Sequence, residues 1–322
     1  MRSNDMTFRI PALVLCLACA QPALCAGTNR IFVTNEGSDD LTVIDGKTLE
    51  VETTIPIGER PRGIGLAPDH SELYVAVSEE NAIAVVDPAT LKVLRKFPAG
   101  SDPETFAVHP NGHIYLSNED AGLASAFDPK TGAKVAEVQV GLEPEGVAIS
   151  PDGSLVVVTS ESTNMLHFIS VPEHRIVQNV LVGARPRSAV FSSDGKTVYA
   201  TSEIAGEVSK ISTETFKPVA TVRFDDDKAK PMEVMLSRDQ KSLYVAGGRA
   251  NEVLVIDAAT MQITKKIPVG KRVWGLAMTR DGSRVFSTDG ASNSVSVIDT
   301  AKNEVIKQIP VGELPWGVVV DD

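Results

Sequence analysis

Short apolar runs, each closed by Gly, Pro, Asn or Asp, recur along nearly the whole chain. One stretch reads Thr105–Val108, Ile114–Leu116, Leu123–Phe127 and Val135–Val140, with His109-Pro-Asn-Gly112 between the first two runs. The runs are rich in Val, Ile and other strand formers, and none keeps a helical period long enough to make a helix. Pro151-Asp-Gly153, Ser193-Asp-Gly195 and Arg280-Asp-Gly282 mark the equivalent turn elsewhere. Asn-Gly and Asp-Gly tolerate the positive φ of a tight hairpin. The pattern predicts four short antiparallel strands per stretch.

The stretch is a repeat. Runs resembling Leu-Tyr-Val begin at Ile31, Leu73, Ile114, Leu155, Val198, Leu243 and Val285, spaced 41 to 45 residues apart. A second landmark keeps step: Val43-Ile-Asp45, Val85-Val-Asp87, Ala126-Phe-Asp128, Phe168-Ile-Ser170, Lys210-Ile-Ser212, Val255-Ile-Asp257 and Val297-Ile-Asp299. A glycine follows at 58, 100, 141, 183, 270 and 312, with Asp225 in the fifth place. Seven units of four antiparallel strands predict an all-β, seven-bladed β-propeller. The repeat starts on the second strand of a unit (Arg30–Asn35) and ends on the first (Pro315–Val320). The two ends are therefore expected to pair within one blade and close the ring.

Residues 1–26 stand outside the repeat. Arg2 and Arg9 precede an apolar run from Ile10 to Ala20, and small residues follow it. This reads as a secretory signal peptide cleaved after Ala26, with Ala20 as the alternative. The run is too short for a transmembrane span. Cys16, Cys19 and Cys25 all precede Gly27, and the CxxC spacing of the first two lies inside the apolar run, followed by Ala20 where haem attachment needs His. The expected mature protein is one propeller domain, residues 27–322, exported to the periplasm, monomeric and without disulfides. The whole chain carries a net charge of −11, which argues against nucleic acid as a partner.

Residues present in most units have structural roles first. Asp45, Asp87, Asp128, Asp257 and Asp299 close a strand before a turn, where a carboxylate bonds the backbone two residues on. Asp69, Asp152, Asp194, Asp239 and Asp281 belong to hairpin turns. The position after the conserved-in-place Pro varies instead. It reads Arg62, Glu104, Glu145, Arg187, Met232 (then Glu233), Trp274 and Trp316. These are expected at the mouth of the central channel, on the face that also carries the rim carboxylates Glu36, Glu119, Glu161 and Glu203. Two Trp, two Arg and several carboxylates on one face make a candidate site for a ligand or partner. Alternatively, the Trp pack on neighbouring blades and the charges pair with each other. Histidines are too scattered for a metal centre; Glu36 and Glu119 would suit Ca²⁺ only if they converged. No catalytic triad and no phosphate loop is present in the sequence.

The residues Ile31-Phe-Val-Thr-Asn35, Val43-Ile-Asp45 and Ile55-Pro-Ile-Gly58, with Pro61-Arg-Gly63 after them, resemble the YVTN family of β-propeller repeats across all seven units. More narrowly the chain is similar to bacterial propellers associated with catabolism dependent on pyrroloquinoline quinone (PQQ). That resemblance rests on length, the N-terminal segment and the ordered variants Pro61-Arg-Gly63, Pro103-Glu-Thr105, Pro144-Glu-Gly146, Pro186-Arg-Ser188, Val273-Trp-Gly275 and Pro315-Trp-Gly317. It implies a periplasmic accessory protein working beside a quinoprotein dehydrogenase or cytochrome, with no catalytic residues to carry over. The runner-up is an enzyme or cofactor carrier, with Arg62 and Arg187 gripping an anionic ligand such as PQQ. A third reading is a structural cell-envelope protein.

Overall fold

The computed structural model describes residues 27–322. The signal peptide expected over residues 1–26 lies outside the described residues.

Seven four-stranded antiparallel sheets form a closed ring. The first blade contains Pro315–Asp321, Arg30–Asn35, Asp40–Asp45 and Val51–Pro56, in that order from the channel outward. The C-terminal strand thus pairs with the N-terminal one, Ile31 opposite Val320 and Val33 opposite Val318. The six following blades run in chain order, from Pro61–Pro98 in the second to Val273–Pro310 in the seventh.

The apolar pattern follows from this packing. Middle strands are covered on both sides, so their side chains are buried almost without interruption, whereas outer strands show alternating exposure. Alternate residues of one strand serve two different cores. Phe32, Leu41 and Val43 meet Leu73, Val75 and Val86 of the second blade. Ile31, Val33 and Ile44 point the other way, to Phe286, Val295 and Val297 of the seventh. Each such fully buried side chain contributes roughly 1.5–3 kcal/mol. The hydrophobic core is therefore a set of slabs between blades, and the channel is left without one.

The turn aspartates act as expected. Asp45 Oδ1 accepts from the N–H groups of Lys47 (2.8 Å) and Thr48 (2.7 Å), and Asp257 Oδ1 from Ala259 (3.1 Å) and Thr260 (2.7 Å). Asp281, in a hairpin turn, accepts from Ser283 N–H at 2.9 Å and from the Thr279 hydroxyl at 2.7 Å.

Candidate functional site

Six of the seven innermost strands are bulged where they reach the mouth, the exception being the short Val234–Leu236 of the sixth blade. Pairing with the second strand is regular up to Val147, Ala189 and Leu276, then skips two residues to Pro144, Pro186 and Val273. The skipped residues include the mouth positions Glu145, Arg187 and Trp274. A hydroxyl on the second strand fills the gap. Thr288 Oγ1 accepts from Gly275 N–H (2.7 Å) and donates to Trp316 O of the next blade (2.7 Å). Thr34 does the same for Gly317 N–H (2.9 Å) and Arg62 O (2.8 Å), and Thr201 for Ser188 N–H (3.0 Å) and Met232 O (2.6 Å). Five mouth residues, Arg62, Glu145, Arg187, Met232 and Trp316, are thus tied through their carbonyls to the preceding blade.

The loop leading into the mouth is fixed by a second recurring bond. Asp39, Asn81, Asn164, Asn251 and Asn293 accept, through Oδ1, the N–H groups of Arg60, Asp102, Arg185, Arg272 and Leu314, at 2.8–3.0 Å. Those five acceptor-held residues all adopt positive φ, between 44° and 60°.

The predicted mouth and rim residues lie on one face, and their charges are in contact. Arg62 pairs with Glu104 through Nη1 and with Glu36 through Nη2 at 3.3 Å. Arg187 pairs with Glu161 through Nη1 and with Glu145 through Nη2 at 3.0 Å. Two arginines absent from the sequence-based set complete the network. Arg60 reaches Asp102 (3.1 Å) and Glu104 (3.5 Å), and Arg185 reaches Glu161 (2.7 Å) and Glu203 (3.2 Å). Both stand immediately before the proline, flanking it opposite the mouth residue, and that repeated placement is the signal that would have found them.

The network is buried: Glu104 is 0% exposed, Glu145 3%, Glu161 2% and Arg187 8%. Burial raises the pKa of Glu104 to about 9; the charge of Glu145 adds to the rise and Arg62 opposes it. Burial likewise raises Glu161 to about 7 and raises Glu145, in both cases against the pull of Arg187. For Arg187 and Arg62 burial acts against the charge, but the surrounding carboxylates outweigh it and raise both. Removing one partner of such a buried pair leaves the other uncompensated, at a cost of about 3–5 kcal/mol.

Glu36 and Glu119 do not share a site. Among the described residues, Glu119 converges with Asp102 and Glu104, whose carboxylate oxygens lie within 4.8 Å of one another. Arg60 and Arg62 offset the charge of that trio.

The two Trp stack on each other, with centroids 6.3 Å apart and planes at 28°. The Arg62 guanidinium lies 5.7 Å from the Trp316 ring, and those of Arg187 and Arg272 lie 5.6 Å and 4.8 Å from the Trp274 ring. Trp316 Nε1 is buried and finds no acceptor among the described residues. Below the stack opens a cavity of about 420 Å³, walled by Ile64, Phe106, Val147, Phe191 and Met235, with Glu145, Arg187 and Glu233 among its polar lining. Among the described residues Glu233 has no arginine partner; its Oε2 accepts from Leu276 N–H at 2.7 Å, and burial raises its pKa to about 7.

A family model described as "Lactonase, 7-bladed beta-propeller" matches residues 173–306, under half of the chain. No curated protein matches. Among solved structures, the chain is similar to a protein of unknown function from Desulfotomaculum acetoxidans (16% identity, TM-score 0.80, covering 91% of this chain and 99% of that one). It is also similar to a proposed 6-phosphogluconolactonase from Bacteroides uniformis (19%, 0.75, 90% and 98%) and to hydrazine synthase of Kuenenia stuttgartiensis (21%, 0.74, 81% and 89%). At these identities the likeness shows the propeller fold, and propellers host many unrelated functions.

Proposed function

We propose that this propeller is an exported, non-catalytic binding module that serves a PQQ-dependent oxidation system in the periplasm. Its channel-mouth face engages a partner, a quinoprotein dehydrogenase or a cytochrome. The observation that carries this reading is the state of the mouth charges. A catalytic centre keeps a nucleophile, acid or base available for the reacting atoms. Here Arg62, Arg187, Glu36, Glu104, Glu145 and Glu161 are held by one another. The result is a rigid, preorganised surface, which lowers the cost of ordering on association. The PQQ link rests on the resemblance of the repeat sequence. Affinity capture from periplasm, comparing wild type with a Trp274→Ala/Trp316→Ala double variant, tests the proposal. A redox enzyme or cytochrome is expected with wild type and lost with the variant; identical captured sets would count against the mouth.

A second reading is favoured by the cavity and by Glu233. A half-apolar space of about 420 Å³ admits a small ligand, and a carboxyl titrating near 7 suits general acid–base work at neutral pH. In this reading the protein is an enzyme or carrier, consistent with the partial lactonase match. Arg62 and Arg187 do not fit the grip on PQQ expected of them, because each guanidinium is already held between two carboxylates.

A further inference from the structure

The sixth and seventh blades bring to the mouth a charged corner opposite in sign to the carboxylate network. Arg272 is exposed, and its guanidinium lies against Trp274 at 4.8 Å. Among the described residues it forms no ion pair, unlike Arg60, Arg62, Arg185 and Arg187. Its main chain is fixed on both sides: its N–H donates to Asn251 Oδ1 at 2.9 Å, and its carbonyl accepts from Gly290 N–H at 2.9 Å. Lys271 precedes it, with its own N–H donating to Ser292 Oγ at 2.8 Å. Arg249 stands on the short 3₁₀ turn Gly248–Ala250 that Asn251 closes, and Lys230 N–H donates to Gly247 O beside that turn at 3.0 Å. The main chains of four cationic residues therefore meet at one corner. The aspartates Asp225–Asp227 belong to the loop that carries Lys230, and the Asp226 carboxylate is engaged by Lys228 N–H at 2.8 Å.

Glu252, beside Gly247, is paired with Lys266 at 3.7 Å, and Asp289, against Gly270, is buried and bonded to Ser287 and Ser296. An anion beside the exposed Arg272 is attracted by its charge. Contact with the Trp274 ring holds the guanidinium without using its N–H donors, which remain for a bidentate bond to an anion. Trp274 and Trp316 line the cavity directly inside this corner.

We propose that the Arg272 corner is an anion subsite, taking the carboxylate or phosphate head of a small ligand whose apolar body lies in the channel mouth. The proposal rests on the ligand-binding reading above and relocates its anion grip from Arg62 and Arg187 to Arg272, Lys271, Lys230 and Arg249.

The two Trp of the chain both stand at this mouth, so indole emission reports on the site without a label. The probes are phthalate, phenyl phosphate and uncharged benzyl alcohol, titrated into the intact protein at low and at moderate salt. The expected result is a saturable change with phthalate or phenyl phosphate that weakens with salt. Whichever anion binds more tightly identifies the head group. Arg272→Gln should weaken that binding roughly tenfold or more, as for loss of a charge-assisted hydrogen bond, and Arg272→Lys should fall between. Arg272 is exposed, so both variants should melt like wild type, which separates lost binding from lost fold. Equal affinity for Arg272→Gln and wild type overturns the subsite while leaving a ligand in the channel. Equal binding of benzyl alcohol overturns the anion requirement. No binding of any probe overturns the subsite and the ligand reading together.

Discussion

At the scale of single residues, the mouth is set by close approach of main chains. A Cβ on Gly146 would lie 2.3 Å from Arg187 O, and one on Gly275 would lie 2.5 Å from Trp316 O. Glycine at these places lets one blade's bulge seat against the next. Gly146→Ala is expected to destabilise the fold by about 1–3 kcal/mol, as overpacking does. Urea unfolding measures it, and an unchanged midpoint would show that blade spacing is not limited there. The mouth positions were legible in the sequence because a proline marks them in most units. Arg60 and Arg185 were legible only by their repeated place before that mark, and Arg272 was not, because Val273 replaces the proline in its unit and only the backbone conformation repeats. Whether a charge is paired depends on neighbours 26 or 42 positions away, which no local pattern reveals.

At the scale of elements, the seven-unit period made the fold readable, including the pairing of the two ends. Strand limits were less so. The run read as Thr105–Val108 is a strand over Pro103–Val108, because the bulge places polar Glu104 in an otherwise apolar strand. Where the spacing stretches to its maximum, the loop at residues 224–233 takes up the extra chain and the inner strand shrinks to Val234–Leu236. The C-terminal strand carries more than its own pairing. Asp321 accepts from Thr28 N–H at 2.8 Å and meets His70 Nδ1 at 2.6 Å, joining both ends of the chain to the second blade. Deleting residues 314–322 should therefore lower the melting temperature of the whole ring, since it opens a sheet edge and uncovers two slabs of core. A truncated protein that melts with the intact one would refute this.

At the scale of the whole molecule, buried acids give stability an unusual pH dependence. Burial raises Glu104 to about 9, Glu161 and Glu233 to about 7, and Asp289 to about 6. The folded state holds protons that the unfolded chain releases above about 4–4.5. Their contribution is complete below that value and is lost as pH rises through the folded pKa values. His167, lowered by burial, acts in the opposite sense and costs stability as pH falls below about 6.5. So do the turn aspartates, with Asp281 lowered to about 2 by Ser283 and Thr279, at still lower pH. With more carboxyls than histidines involved, the melting temperature is expected to be higher at pH 5 than at pH 9. A series of thermal melts across that range checks it, and a steady rise toward pH 9 would refute it. The hydroxyl relay has a different consequence. It grips mouth residues only by main-chain atoms, so these bonds are indifferent to which side chain the position bears. Arg, Glu, Met and Trp already hang from the same bonds at different blades. The mouth is therefore a rewritable socket at the level of its strand bonds: outside the arginine–carboxylate network a single blade can change its side chain alone, and within the network the paired blades change together.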